Sequence, residues 1–516
     1  MSAQQGQSQT QTEGHAPGGE RKITVWNGIG FGIGDFYGGG QGAIVSMYLS
    51  LFWTTFAGLD IAQAQGIQGM ATMISAITAV VIGALSDNLY QYRFGRRMGR
   101  RHFFFKIGAP LLLVTALMWV PGLGYWTYFF AFLLWTVLSQ WIMIPYGTLP
   151  SEMTRDYTGR TVLSTVRMWI SNISTVVIPF VCAGFLKFLG EGKGSTFTIM
   201  GVMWIVVFAA CIALMSHFTW ERTPEEVGVV EEDAGDRLGW LKSLGKQFLG
   251  YFTTLRIRIF QKHMVIYLLA QTFIDVFGTV YTFFVIYNWS KSAAFASALS
   301  GIGFITTIVY PINGVLFKKV GARVQYSIAF LSFIASLLAF YWLYKNTGTV
   351  ADSLWMGVMI VSYVLFLLSR SMIWYLLWAV YPFIPDVDEI VTHERREGLF
   401  TATVYFFRRI TAGLGSIGVG AYLASQGFLS GSKTQTPQAV QAIANVGIIV
   451  VVIAIAIAWL VSLTFNLNEK THGVLTAEIE RLRAGGSKDD VKPEVRKLVE
   501  SMTGVKYEKC WPQSAE

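Results

Sequence analysis

Apolar residues along the chain gather into about twelve stretches, each close to the roughly 20 residues a helix needs to cross a bilayer. They cover residues 26–53, 66–87, 103–121, 125–149, 163–190, 197–219, 264–288, 295–318, 324–344, 354–384, 399–425 and 440–466. A polar, charged segment from Trp220 to about Lys262 divides them into two sets of six. Inside lipid every backbone amide must find a partner within its own segment, so runs of this length predict helices. The expectation is an all-α polytopic membrane protein. Its parts are a disordered N-terminal tail (1–25), a first six-helix bundle (26–219), a central loop (220–263), a second six-helix bundle (264–466) and a C-terminal tail (467–516). In the last, VLTAEIERLRA (Val474 to Ala484) predicts a short amphipathic helix, with disorder around it.

Composition supports this. Of 516 residues, 53% are hydrophobic and 14% charged, against about 25% charged in soluble domains. Such a chain is not a soluble enzyme. The net charge of +9 is a topology signal and gives no reason to expect nucleic acid. Basic residues concentrate after the second span (Arg93, Arg96, Arg97, Arg100, Arg101), in the central loop (Lys242, Lys246, Arg256, Arg258, Lys262) and after the eighth span (Lys318, Lys319, Arg323). The positive-inside rule then puts both termini in the cytoplasm. Residues 1–20 have no apolar core and do not read as a cleaved signal peptide. The three cysteines, Cys182, Cys211 and Cys510, imply no disulfide framework.

A weak internal repeat is present. FGIGDFYGG around Asp35 matches TFIDVFGT around Asp275 at an offset of 240, in the first span of each half. Before the fifth and eleventh spans, Glu152, Arg160 and Leu163 match Asp388, Arg396 and Leu399 at an offset of 236. Two similar six-helix bundles in parallel orientation point to the major facilitator fold, with a substrate path between the halves near the bilayer midplane.

A charge at the centre of a span costs about 2.5–3.5 kcal/mol, so such residues face a cavity or a partner. At about 1.5 Å per residue, Asp35, Asp275 and Arg409 lie about 15 Å from the cytoplasmic edge. Arg370 falls near the middle of the tenth span and Arg167 in the inner third of the fifth. The functional reading makes Asp35, Arg167, Arg370 and Arg409 the lining of an aqueous site, since carboxylates accept from sugar hydroxyls and guanidinium forks donate to hydroxyls or carboxylates. The competing reading is structural pairing, for example Asp275 with Arg370; Arg408 is a pairing or snorkelling residue. Glycines 30, 34, 38 and 42 lack the strand and lysine of a phosphate loop and read as a close-packing seam. DVDEIVTHERRE (Asp386 to Glu397), with His393, lacks zincin spacing and reads as a cytoplasmic salt-bridge gate of Glu152, Arg160, Asp388 and Arg396. No metal or cofactor is expected. Asn288-Trp289-Ser290 matches a glycosylation sequon but abuts a span end.

PYGTLPSEMTRDYTGRTVLSTVR (Pro145 to Arg167), GALSDNLYQYRFGRRMGRR (Gly83 to Arg101) and PDVDEIVTHERREGLFTATVYFFRR (Pro385 to Arg409) resemble motifs of the glycoside–pentoside–hexuronide:cation symporters, the melibiose-permease group of the major facilitator superfamily. The similarity covers about 28–465. It implies symport of a saccharide with a cation by alternating access. The family's sugar-binding first-span Asp falls on Asp35, its fifth-span Arg on Arg167 and its eleventh-span Lys on Arg409. Its sugar-stacking Trp falls on Trp374, with Tyr375 beside it as a further candidate. Sodium-using relatives carry carboxylates at positions that match Ser75, Ala79 and Met143 here. A hydroxyl, a methyl and a thioether do not replace hard oxygen ligands. A proton, carried by Asp35 or Asp275, is therefore favoured over sodium.

The expected function is secondary transport of a glycoside, oligosaccharide or uronide across a bacterial inner membrane by a monomer. The exchange of membrane acids for arginines favours an anionic substrate. The alternatives are a same-fold carrier of a lipid or other amphiphile, an uncoupled facilitator, and a membrane enzyme, for which no nucleophile or metal cluster is found.

Overall fold

The computed structural model describes residues 23–154, 157–223, 239–393 and 396–511. The expected N-terminal tail up to residue 22, the stretch 224–238 of the central loop and residues 512–516 lie outside the described residues. The described chain is helical throughout its membrane part.

Among the described residues, nine stretches are long and apolar enough to cross a membrane by length and composition alone. One of them, Ile312–Lys345, turns back at Gly321 (φ 76°), so it holds the end of the eighth span and all of the ninth. Only glycine adopts that conformation without strain. The first span (25–55) and the eleventh (Glu397–Ser425) are diluted by glycines, and by Arg408 and Arg409 in the eleventh. With the start of the eighth span they complete twelve membrane helices.

Helix starts follow the capping chemistry of short polar side chains. Thr24 accepts from the amide of Asn27 at 3.3 Å, and Asp60 from the amide of Gln63 at 2.7 Å. The second span accordingly begins at Ile61 and not at 66. The central loop contains an amphipathic helix, Gly239–Thr254, and the seventh span begins at Arg258, six residues before the expected boundary at 264. The first and seventh spans each carry a widened π-type turn, Val45–Leu49 and Phe284–Asn288. Their offset of 239 sits beside the 240 that separates Asp35 from Asp275.

Spans one to six pack among themselves, as do spans seven to twelve. The two groups meet through the second and eleventh, the fifth and eighth, and the first and seventh spans. Between described residues, five contacts carry hydrogen bonds from one group to the other. Tyr48 donates to Ser297 Oγ (2.7 Å), Thr282 to Met47 O (2.8 Å) and the Ala294 amide to Glu191 (3.3 Å). Ser416 donates to Gln65 Oε1 (2.7 Å), and Arg409 to Ser75 Oγ (2.9 Å). The first four lie toward the end opposite the basic loops, and the fifth at mid-depth. The second and eleventh spans touch backbone to backbone there: a Cβ on Gly69 would stand 2.5 Å from Gly413 O. Bare backbones allow that approach.

At the basic end the expected gate residues stay within their own halves. Buried Glu152 pairs with Arg100, with Arg101 at 3.7 Å and with Arg222 at 3.4 Å. Asp388, fully buried, takes two hydrogen bonds from Arg396 at 2.9 and 2.7 Å. Arg160 donates to the Thr154 carbonyl at 3.0 Å, so Glu152 is held by basic residues other than the expected one. Asn288 of the sequon is buried and donates to Val440 O at 2.9 Å, out of reach of modification.

The C-terminal tail corrects an expectation. Glu469–Arg483 and Pro493–Thr503 form two helices that fold back on the short helix Ile384–Thr392. His472 meets Asp386 at 2.8 Å, Arg483 pairs with Glu389, and the Trp511 amide donates to Ile390 O at 2.8 Å. The disorder expected around the amphipathic stretch gives way to order because Leu475, Ile479, Leu482, Val499 and Met502 bury one shared apolar face. Burial raises the Glu478 carboxyl, but hydrogen bonds from Arg481 (2.7 and 3.0 Å) and Tyr507 outweigh it and hold the group below its ordinary value. Burial, then the hydrogen bond to Glu478, pushes the Tyr507 hydroxyl up to about 12.

A carboxyl depressed by folding stabilises above its unfolded value, about 4.3, and that stabilisation is lost as pH falls through the folded value. Protease sensitivity of the tail should therefore stay flat from about pH 8 to 5 and rise only below about 4. In Glu478→Gln the tail should be more sensitive at neutral pH, and the acid-dependent rise should shrink.

Candidate functional site

The site begins with a glycine. Gly38 lies one turn beyond Asp35 on the first span, and a Cβ there would stand 2.2 Å from Asp35 Oδ1 and 2.6 Å from Met143 Cε. Its absence lets the Asp35 side chain lie back along its own helix, 6% exposed. A second glycine, Gly32, brings the first span against the fifth, where a Cβ would meet the Arg167 backbone at 3.4 Å. Arg167 Nε thereby reaches Asp35 Oδ2 at 3.3 Å. Its guanidinium also lies over the Tyr146 ring at 4.8 Å, a favourable cation–π geometry. Tyr146 is itself held by stacking on Phe31 (4.6 Å between centroids) and by donating to Phe31 O at 3.1 Å. Asp35, Arg167 and Tyr146 thus form one unit on three helices of the first half.

In the second half the pairing of Asp275 with Arg370, the example given for the structural reading, is not found among the described residues. Asp275 pairs with Arg408, the residue expected to pair or snorkel. Arg408 and Arg409 are adjacent on the eleventh span, about 100° apart around the helix. One turns to Asp275 on the seventh span and the other crosses to Ser75 on the second. Arg409 has no acidic partner among the described residues. Arg370 is exposed and also without an acidic partner among them. It lies two turns along the helix from Tyr363, which packs at 6.4 Å against Tyr281 of the seventh span, so the two residues share an inward face.

Aromatic rings continue the lining. Trp374 is 44% exposed and its ring lies 6.2 Å from Trp378. Trp378 meets Tyr405 at 5.6 Å and Tyr267 at 6.1 Å. Tyr405, 50% exposed, lies within electrostatic reach of both Arg167 and Arg409, which belong to opposite halves. Tyr375 points elsewhere: its hydroxyl approaches Gly314, and its ring meets Phe317 at 6.3 Å, both on the eighth span. Of the positions matching a sodium site, Ser75 is buried and taken by Arg409, Ala79 is half-buried, and Met143 lies beside Gly38 and Asp35.

Sequence reasoning missed Tyr146, Tyr405 and Trp378, and did not name Asp275 as the partner of Arg408. Tyr146 stood inside the motif that begins at Pro145, and Tyr405 one turn before Arg409 on the same helix. Helical spacing from a charged residue is the signal that would have found the second. Among the described residues there is no metal-binding cluster of His, Cys, Asp or Glu.

Comparison with known proteins adds to this geometry. The family model described as MFS/sugar transport protein matches residues 30–469. The glucuronide carrier protein homolog of Escherichia coli is 22% identical over 473 residues, covering 88% of this chain and 94% of that protein. The isoprimeverose transporter of Lactiplantibacillus pentosus is 22% identical over 468 residues, covering 88% and 91%. The uncharacterized symporter YnaJ of Bacillus subtilis is 23% identical over 484 residues, covering 89% and 96%. Among solved structures, a proton-dependent oligopeptide transporter superposes with TM-score 0.56 at 13% identity, over 86% of this chain and 98% of that one. The nucleoside transporter NupG gives TM-score 0.55 at 13% identity, over 86% and 96%. These structural likenesses show the fold.

Because Asp275 is 45% exposed, losing its partner should cost no more than about 1 kcal/mol. Arg408→Gln and Asp275→Asn should each lower the thermal midpoint of the purified protein. The double variant should recover part of the loss, since it leaves no lone charge. A double variant as unstable as the sum of the singles would show that the two groups act separately.

Proposed function

The chain belongs to the MFS/sugar transport protein family, in the glycoside–pentoside–hexuronide:cation symporter group, and on that premise we propose that it carries an acidic saccharide by alternating access, coupled to protons and not to sodium. It is a multi-pass membrane transporter and not an enzyme.

The observation that carries the substrate reading is a charge census. Asp35 is matched by Arg167 and Asp275 by Arg408, which leaves Arg409 and Arg370 without acidic partners among the described residues. Two unmatched guanidiniums at membrane depth call for an anion to share the chamber. A uronide supplies a carboxylate for a bidentate fork and hydroxyls for Asp35 and Arg167. Its ring offers C–H faces to the exposed Trp374 or Tyr405. The relative named a glucuronide carrier protein homolog is consistent with this reading.

The coupling reading rests on Ser75, whose hydroxyl is taken by the Arg409 guanidinium, a tethered cation where sodium would need oxygen ligands. When an incoming carboxylate or hydroxyl draws Arg167 from Asp35, the released carboxylate becomes the group that takes up a proton. Alternating access is supported by the hydrogen bonds between halves, which gather at mid-depth and at the end opposite the basic loops. On this reading that end is the closed one and the basic end is the one that opens, on the cytoplasmic side of a bacterial inner membrane by the positive-inside rule.

Protein reconstituted into liposomes should take up a glucuronide in preference to the matching neutral glucoside. An inward proton gradient should drive accumulation, and exchanging sodium for potassium should leave it unchanged. Asp35→Asn and Arg167→Ala should abolish uptake, while Arg409→Gln should reduce discrimination against the neutral sugar by roughly 10-fold or more, as loss of a charge-assisted bond would. Equal uptake of neutral and acidic sugars would remove the substrate reading, and sodium dependence would remove the coupling reading.

A further inference from the structure

A groove of about 700 Å³ opens at the basic end between the third span and the end of the sixth, apart from the central site. Its rim carries Arg97, Lys106 and His217, all exposed, and its floor is Phe105, Ala109, Pro110 and Ala213. The acid at the rim, Glu221, is already engaged: it accepts from the amides of Arg101 (2.7 Å) and His102 (3.3 Å) and lies 2.9 Å from His102 Nδ1. Arg97 and Lys106 have no acidic partner among the described residues; Lys106 donates to the Met98 carbonyl at 3.3 Å. The rim is therefore cationic.

The surroundings name the occupant. Leu111, Val114 and Leu117 of the third span and Leu214 and Phe218 of the sixth are large, apolar and exposed, which in a membrane protein is the surface turned to acyl chains. Between them Pro110 and Ala213 are small and leave a channel continuous with that surface. Pro110 has no amide hydrogen, so the Lys106 carbonyl loses its i+4 donor on its own helix. The geometry points to a binding site for an anionic glycerophospholipid, with its phosphate between Arg97 and Lys106 and one acyl chain along Pro110 and Ala213. Cationic pockets between membrane helices at the cytoplasmic side suit such headgroups. The site is separate from the sugar path and does not depend on the substrate reading.

The test is native mass spectrometry of the full-length protein in detergent, with phosphatidylglycerol or phosphatidylcholine of identical chains added. Phosphatidylglycerol should be retained preferentially, and Arg97→Gln and Lys106→Gln should each lower that retention about fivefold, the equivalent of about 1 kcal/mol per cation. Ala213→Trp, which fills the channel at an exposed position, should lower phosphatidylglycerol retention without shifting the thermal midpoint. Equal retention of the two lipids, or a preference that survives in both charge variants, would overturn the site. Displacement of the lipid by glycerol 3-phosphate at similar concentration would overturn it as well, by showing that the acyl chain is not recognised.

Discussion

The ion pair between Asp35 and Arg167 is the constraint around which the first half is arranged. A carboxylate at this depth is tolerable only with a cation beside it, and the cation reaches it only because the first and fifth helices lie close. Gly32 permits that approach, Gly38 gives the carboxylate room, and Tyr146 holds the guanidinium from its open side. None of these residues is chemically unusual. Their effect comes from a small residue on one helix standing against a large polar one on the next.

The second half solves the same problem differently. Its first helix also carries a carboxylate and a π-type turn at nearly the same offset, yet Asp275 is matched from the eleventh helix. Because two arginines are adjacent there, satisfying Asp275 with one turns the other toward the opposite half, where it meets the neutral Ser75. The asymmetry between the halves is what leaves Arg409 without an acidic partner among the described residues. It also makes Arg409 a link between the bundles.

The basic end is organised as two separate locks, Glu152 with its three arginines and Asp388 with Arg396, each within one bundle. Ion pairs that do not cross the gap keep each half rigid without tying the halves together. The tail helices brace the same short helix, Ile384–Thr392, that holds Asp388, from the other side through Asp386 and Glu389.

Much of this was legible in the chain itself. Apolar length set the membrane helices, because the bilayer demands about 20 residues whatever the fold. Loop charge, the half-repeat around Asp35 and Asp275, and the short list of charges at membrane depth followed from residue type and position alone. Which charges meet was not legible. Asp275 had two arginines within plausible reach, and the choice of Arg408 over Arg370 depends on how each helix is rotated about its axis. A residue's neighbours set that rotation, and spacing along the chain does not. The same limit hid Tyr405 and Trp378, turned Tyr375 away from the chamber, and concealed the fold of the tail, whose apolar face has meaning only against the helix it covers. Sequence determined what had to be buried or paired; packing between helices decided with what.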